Sequence, residues 1–536
     1  MPHYRLSWRN PNDRLYDISI RFIAPEDDPL LWLPAWRPGR YLIMNFAADV
    51  REWSANLRKI DKSKWRAAAK QGEEVEVTYR FFAATLDAGS SFLAEDEAYV
   101  NPSNLFMCVD AIRSEPCTLT IDAPATWRIE TQLTDFRARD YDHLIDSPII
   151  ASPDLHVHSF EESGATVHMV FRNPERMDTE ALVEPVREIV RAQAAFFGGL
   201  PLREYRFLFH TGDRWHGVEH EDSCSIIMNR KTEGTDHFVS MVSHELFHLW
   251  NVKRIIPAAF KPYDYLRETP TRLLWVMEGL TSYYGDLMLL RSGVWTAQRY
   301  LDDLADEIER LESAPGKEVL SLSQASFDGW LQEQMHDRAN AWISFYDKGK
   351  IAGALLDLEL RRRGRSLDEV MLTLWRDYGM TGRGVEEDAV ERIAGLPEFF
   401  ARYVDGTDPL PYEELFAAAG VEFVSRRRPA GLGVKLAERN GALFAESVMR
   451  GGAAMSAGML AGDEVLSIDG FRTRTVADAE RAVKRAGESE IEILFAHGGV
   501  VLRRQIAART SDAVDIELKM ADTDNALRDA WLRRDG

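Results

Sequence analysis

Ser243-His244-Glu245-Leu246-Phe247-His248-Leu249-Trp250-Asn251 is the stretch from which the rest of the chain can be read. It contains His-Glu-x-x-His, and residues 236–242 before it have the apolar spacing of a buried helix. Positions four apart on a helix share a face, so both imidazoles can close on one metal ion. Glu245 then points toward a water held by that ion. Zinc suits this donor set, because imidazole and carboxylate are its ligands and a catalytic zinc keeps one position open. The competing reading is two core histidines beside an unrelated glutamate, and a third ligand decides between them.

That ligand should be a carboxylate or histidine on a neighbouring helix. Trp275-Val276-Met277-Glu278-Gly279-Leu280-Thr281-Ser282-Tyr283-Tyr284 offers Glu278 inside an otherwise apolar helical stretch. A carboxylate among tryptophan, valine and leucine is costly unless it is paired or bound to metal. A solvent-facing Glu278 is the alternative. With the two histidines just upstream the ligand reading is stronger, and His244, His248 and Glu278 make a two-histidine, one-glutamate set.

Composition narrows the function classes. A chain of 536 residues is too long for one core and predicts about three domains. The formal charge of −21 argues against nucleic-acid phosphates or an anionic membrane as partner. Cys108, Cys117 and Cys224 are odd in number and have no ligand or disulfide spacing, so buried free thiols are expected. The opening residues lack an apolar signal core, and no later run reaches the length of a membrane span. The expectation is a soluble, cytoplasmic protein, periplasmic or secreted only if a leader has been removed.

Four regions follow from the texture of the chain. Residues 1–175 alternate apolar and polar positions, as at Ile18, Ile20 and Phe22 or Val167, Met169 and Phe171, and predict a sandwich-like β domain. Within it Leu33-Pro34-Ala35-Trp36-Arg37-Pro38-Gly39-Arg40-Tyr41 reads as a turn whose aromatic residues pack. Residues 176–426 are rich in helical periodicity, with a helix expected to start at Thr269 and Pro270 and run to Gly293. Residues 427–510 carry short strands and glycines, and residues 511–536 read as a charged helical tail.

Several segments, in order, resemble one family. Trp-x-x-Glu-Gly-x-x-x-Tyr-Tyr at Trp275 is similar to the third-ligand helix of gluzincin aminopeptidases. Ser344-Phe345-Tyr346-Asp347-Lys348-Gly349 resembles their Tyr-x-Lys-Gly motif, and His216-Gly217-Val218-Glu219-His220 resembles their Gly-Gly-x-Glu-His segment. Ala457-Gly458-Met459-Leu460-Ala461-Gly462-Asp463-Glu464-Val465-Leu466-Ser467-Ile468-Asp469-Gly470 is similar to a PDZ domain. Together with the Trp36 segment, these make the chain resemble the PDZ-containing glycyl aminopeptidases over nearly its whole length.

The resemblance implies a multidomain α+β protein: an N-terminal β-sandwich-like domain, a thermolysin-like α-rich catalytic domain and a C-terminal PDZ domain. It implies one zinc per chain, with Glu245 as general base and Tyr346 as oxyanion donor, although a core tyrosine is the plain reading of Tyr346 alone. Glu219 and Gly217 would bind substrate, Glu219 by holding the free α-ammonium, with a solvated acidic loop as the alternative. His216 stands where the family has glycine, which bears on the expected preference for N-terminal glycine or alanine. Gly431-Leu432-Gly433-Val434 resembles the carboxylate loop, either binding a peptide C-terminus or serving only in packing. The alternatives are a broader zinc peptidase and a peptide-binding scaffold with an idle zinc site.

Overall fold

The computed structural model describes residues 1–174, 177–231, 234–334, 338–427, 431–487, 489–507 and 514–533. The N-terminal region is built from β-sheets around their own core, in which Tyr4, Tyr16, Trp65 and Tyr79 are almost fully buried. Its largest sheet has six strands, and the long pair Leu15–Ile23 and Glu74–Phe82 runs antiparallel through the middle. The alternation at Ile18, Ile20 and Phe22 forms its inward face.

The next sheet corrects the first expected boundary. Ala165–Arg172 pairs with Leu155–Glu162 but also lies parallel to Glu204–Gly212, so Val167, Met169 and Phe171 belong to the central region. A parallel partner needs a crossover, here the helix Val183–Phe197, and strand periodicity alone cannot reveal it. Ser223–Asn229 continues this five-stranded sheet, and His216–Glu219 forms its antiparallel edge.

One helix packs against the edge strand, and three more pack in turn behind it. We call them the histidine helix (Asp236–Phe247), the glutamate helix (Leu280–Arg291, entered through a π-turn at Trp275–Gly279), the acidic helix (Ala297–Glu312) and the tyrosine helix (Asp347–Arg362). The glutamate helix starts later than Thr269 and Pro270 suggested. Residues 269–273 are not helical, and Thr271 instead bonds Glu387 and accepts from the Leu273 N–H. Glycines let these helices touch without side chains between them. A Cβ at Gly279 would stand 2.5 Å from the Gly349 Cα, and one at Gly285 would stand 3.2 Å from the His244 Cα. The Glu-Gly and Lys-Gly pairs of the two motifs are therefore two sides of one helix contact.

The C-terminal region differs from the expected order. Val514–Met520 is a strand, not part of a helix, and pairs antiparallel with Val421–Arg427. This ribbon leaves and re-enters the central body on either side of the PDZ-like unit, which has a separate core around Leu443, Ile468 and Phe495. Val514, Ile516, Leu518 and Met520 alternate with charged residues, and that period of two marks the strand. Only Ala526–Trp531 is helical, and residues 511–513 and 534–536 lie outside the described residues. The three cysteines are free and buried. Among the described residues, no helix is long and apolar enough to cross a membrane.

Candidate active site

His244 lies in the last turn of the histidine helix and His248 just beyond it, so their rings face each other. The His248 Nδ1 is 2.9 Å from the Asn251 carbonyl, to which it donates, and this turns Nε2 toward the other candidate ligands. Asn251 is held by its side-chain amide, which donates to the Val276 and Met277 carbonyls and to Thr281. Those bonds occupy groups around the π-turn that presents Glu278, a kind of helical irregularity frequent at functional sites.

The three candidate ligands converge. The Nε2 atoms of His244 and His248 are 3.0 Å apart, and Glu278 Oε2 lies 3.8 and 3.3 Å from them respectively. Ligands about 2.0–2.1 Å from a tetrahedral zinc stand roughly 3.3 Å from one another, so the donor set fits that ion. Burial opposes ionisation of Glu278, but the His248 charge and hydrogen bonds from both rings hold it well below the ordinary carboxylate range. Its other oxygen accepts from the Tyr41 hydroxyl at 2.7 Å. Tyr41 comes from the N-terminal Trp36 segment. Trp36 is fully buried against Trp330 and donates to the Asp264 carbonyl, as its packing role predicts. Tyr41 adds a polar contact that the sequence did not reveal.

Glu245 and Glu219 face the same space. Ligand-type atoms of Glu219, Glu245 and His248 all lie within 4.8 Å of one another, and Glu219 Oε1 and Glu245 Oε2 are buried without a hydrogen-bond partner. Burial, then the neighbouring Glu219 and Glu278 charges, push the Glu245 carboxyl up to about 8 against the pull of His248. Gly217 makes this approach possible, because a Cβ there would run into the Glu245 carboxylate. Gly39 does the same for the Glu219 carboxylate from the N-terminal side. Tyr346 stacks near His244, with ring centroids 6.4 Å apart, and its hydroxyl lies against Glu278.

Strand alternation settles where the unexpected histidine goes. Gly217 and Glu219 share the face toward Glu245, whereas His216 and Val218 share the other. His216 Nδ1 is 2.7 Å from Asp87 on that far side, so its ring does not narrow the space beside Glu219. His210 and His220 are likewise buried against carboxylates, Glu97 and Asp146, away from the metal set. Leu432 and Gly433 lie in the separate PDZ-like unit, where Gly433 at φ +67° packs on Gly452.

The profile of the M61 glycyl aminopeptidase family matches residues 237–352, that of its N-terminal domain matches residues 3–153, and that of the PDZ domain matches residues 444–496. The chain thus matches the models of both the peptidase domain and the N-terminal domain of the M61 glycyl aminopeptidase family. Over 99% of this chain and 100% of the other, it superposes on an aminopeptidase N family protein of Idiomarina loihiensis at 26% identity and a TM-score of 0.92. An M1 zinc metallopeptidase variant of Deinococcus radiodurans bound to a Tyr-Ser-Ala substrate covers 76% of this chain and 94% of its own, at 14% identity and a TM-score of 0.48. No curated protein sequence matches. The chain is a peptide hydrolase of the metallo-aminopeptidase type, and the donor set at its candidate site fits zinc.

Proposed function

We propose that this M61 aminopeptidase releases small N-terminal residues, glycine or alanine, using one zinc per chain at His244, His248 and Glu278. Bound there, zinc would supply Lewis acidity to a water and to the scissile carbonyl. Glu245 takes the proton of the attacking water and passes it to the leaving amine, from a buried position beside His248. Tyr346 donates a hydrogen bond to the oxyanion as it develops. Glu219 holds the substrate's α-ammonium by a charge-assisted hydrogen bond, and the edge strand it ends lies along the path of an extended peptide.

The observation that carries this reading is the buried, unpartnered Glu219 oxygen beside Glu245 and His248. A free ammonium satisfies it, and an acylated N-terminus does not. The PDZ-like unit would take a peptide C-terminus at Gly431, Leu432, Gly433 and Val434. The test is hydrolysis of a panel of aminoacyl anilides, free and N-acetylated, by wild type, Glu245→Ala and Glu219→Gln, with zinc content measured on each. Cleavage of glycyl and alanyl substrates, lost by ~10²–10⁴-fold in Glu245→Ala with zinc retained, supports the reading. Equal cleavage of acetylated substrates by the wild type would overturn the role of Glu219.

A further inference from the structure

Lys350 lies one helical turn past Tyr346, and its side chain is almost fully buried. Its ammonium contacts three carboxylates: Asp286 on the glutamate helix, Asp303 at 2.8 Å and Glu307 at 3.0 Å on the acidic helix. Asp286 also accepts from the Ser240 hydroxyl at 3.1 Å, and Ser240 is on the histidine helix. The spacing is regular. Ser240 precedes His244 by four residues, Lys350 follows Tyr346 by four, and Asp286 follows Glu278 by eight. His244, Tyr346 and Glu278 thus each have a member of the cluster about one or two turns away along the same stretch, Tyr346 as the cap of the tyrosine helix and Glu278 in the π-turn that enters the glutamate helix.

The three carboxylates alone have the make-up of a cation site, but the Lys350 ammonium already sits among them. A buried ion cluster of this kind is a poor source of stability, since apolar residues of similar volume often do as well. Its best-attested use is to fix register. Register matters here because the tyrosine helix meets the π-turn before the glutamate helix backbone to backbone at Gly279 and Gly349, the end nearest Tyr346, whereas the side-chain bond between the helices, Tyr283 to Asp357, lies further along them.

We propose that Lys350 is a positioning residue for the reaction: its ion cluster fixes the tyrosine helix along the histidine and glutamate helices and so holds the Tyr346 hydroxyl at the metal set. This rests on the reading of Tyr346 as oxyanion donor. Lys350 touches neither substrate nor metal, and it acts through Tyr346.

A double-mutant cycle tests it, with kcat, KM and bound zinc measured for wild type, Tyr346→Phe, Lys350→Met and the double variant on a glycyl anilide. Lys350→Met is expected to keep its zinc and KM and to lose about 10²-fold in kcat, the cost of a misplacement near 1 Å. In the Tyr346→Phe background the same change should cost nothing further, and Lys350→Arg should restore part of the loss. Should Lys350→Met fail to fold, Asp286→Asn and Ser240→Ala enter the same cycle. Additive losses in kcat, or loss of zinc from the folded Lys350 variant, would overturn the proposal. An unchanged kcat in Tyr346→Phe alone would instead remove the reading of Tyr346, and the proposal with it.

Discussion

Gly217 and Tyr41 show how much of this site depends on single side chains, or on the lack of one. Gly217→Ala would put a methyl group where the Glu245 carboxylate stands, on a strand that cannot shift without breaking its pairing with Ser223–Asn229. Steady-state kinetics should show a loss in kcat of ~10² or more with zinc retained, because the base is displaced and the ligands are not. Tyr41→Phe removes the donor to Glu278 Oε1 and leaves a buried lone pair unpartnered. Competition with a chromogenic chelator should show zinc held about 10–100-fold less tightly, the usual cost of losing a group that orients a ligand. The approach of His244 to His248 was legible because their spacing is local, while Glu278, on a separate element, stood out only as a carboxylate in an apolar stretch. Tyr41 was not legible, since its partner lies 237 residues away and nothing in a Pro/Gly-punctuated turn points to it.

At the scale of helices the acidic cluster makes a prediction about pH. Lys350 faces Asp286 on the glutamate helix and Asp303 and Glu307 on the acidic helix. Arg299 and Arg310 also reach those acidic-helix carboxylates, while Ser240 and Asp347 border the group. Burial pushes the Glu307 carboxyl up to about 8 and the Asp286 carboxyl to about 6, against the pull of Lys350. Both folded pKa values are raised, so the native state binds more protons than the unfolded chain over this range. The stability they contribute is complete below their unfolded values and is lost as pH rises through 6 and then 8. Thermal melts of the zinc-loaded protein should therefore show Tm falling between pH 6 and 9, with a shallower fall in Glu307→Gln. An equal slope in both would remove Glu307 as the source. The helices themselves were readable from apolar periodicity. Their close contact was half-readable, since Gly279 and Gly349 appear in motifs but only the fold shows that they meet.

Across the whole molecule, the chain returns to its catalytic body after the PDZ-like unit. Val514–Met520 runs along the acidic helix: the Gln298 side chain donates to the Leu518 carbonyl, and the Ile516 N–H meets Glu309. The short helix after it buries Trp531 completely, with its indole N–H 3.1 Å from the Tyr283 hydroxyl and its ring against Tyr300 and Phe416. Tyr283 in turn donates to Asp357 on the tyrosine helix at 2.7 Å. One side chain near the end of the sequence thus links the glutamate and acidic helices directly and the tyrosine helix through Tyr283. Residues 511–536 read as a charged helix with no assigned place, and a lone tryptophan does not reveal which surface it fills. Trp531→Ala should destabilise the central body by ~3–5 kcal/mol, the range for emptying a buried aromatic site. Because the protein has several cores, the change should appear in the melting of the catalytic region and leave a separate PDZ transition where it was. Hydrogen exchange resolved by peptide would show which: faster exchange in Leu280–Arg291 and Asp347–Arg362, with Val476–Ala486 unchanged, is the expected pattern, whereas uniform loosening of both regions would mean that Trp531 joins the units rather than the helices.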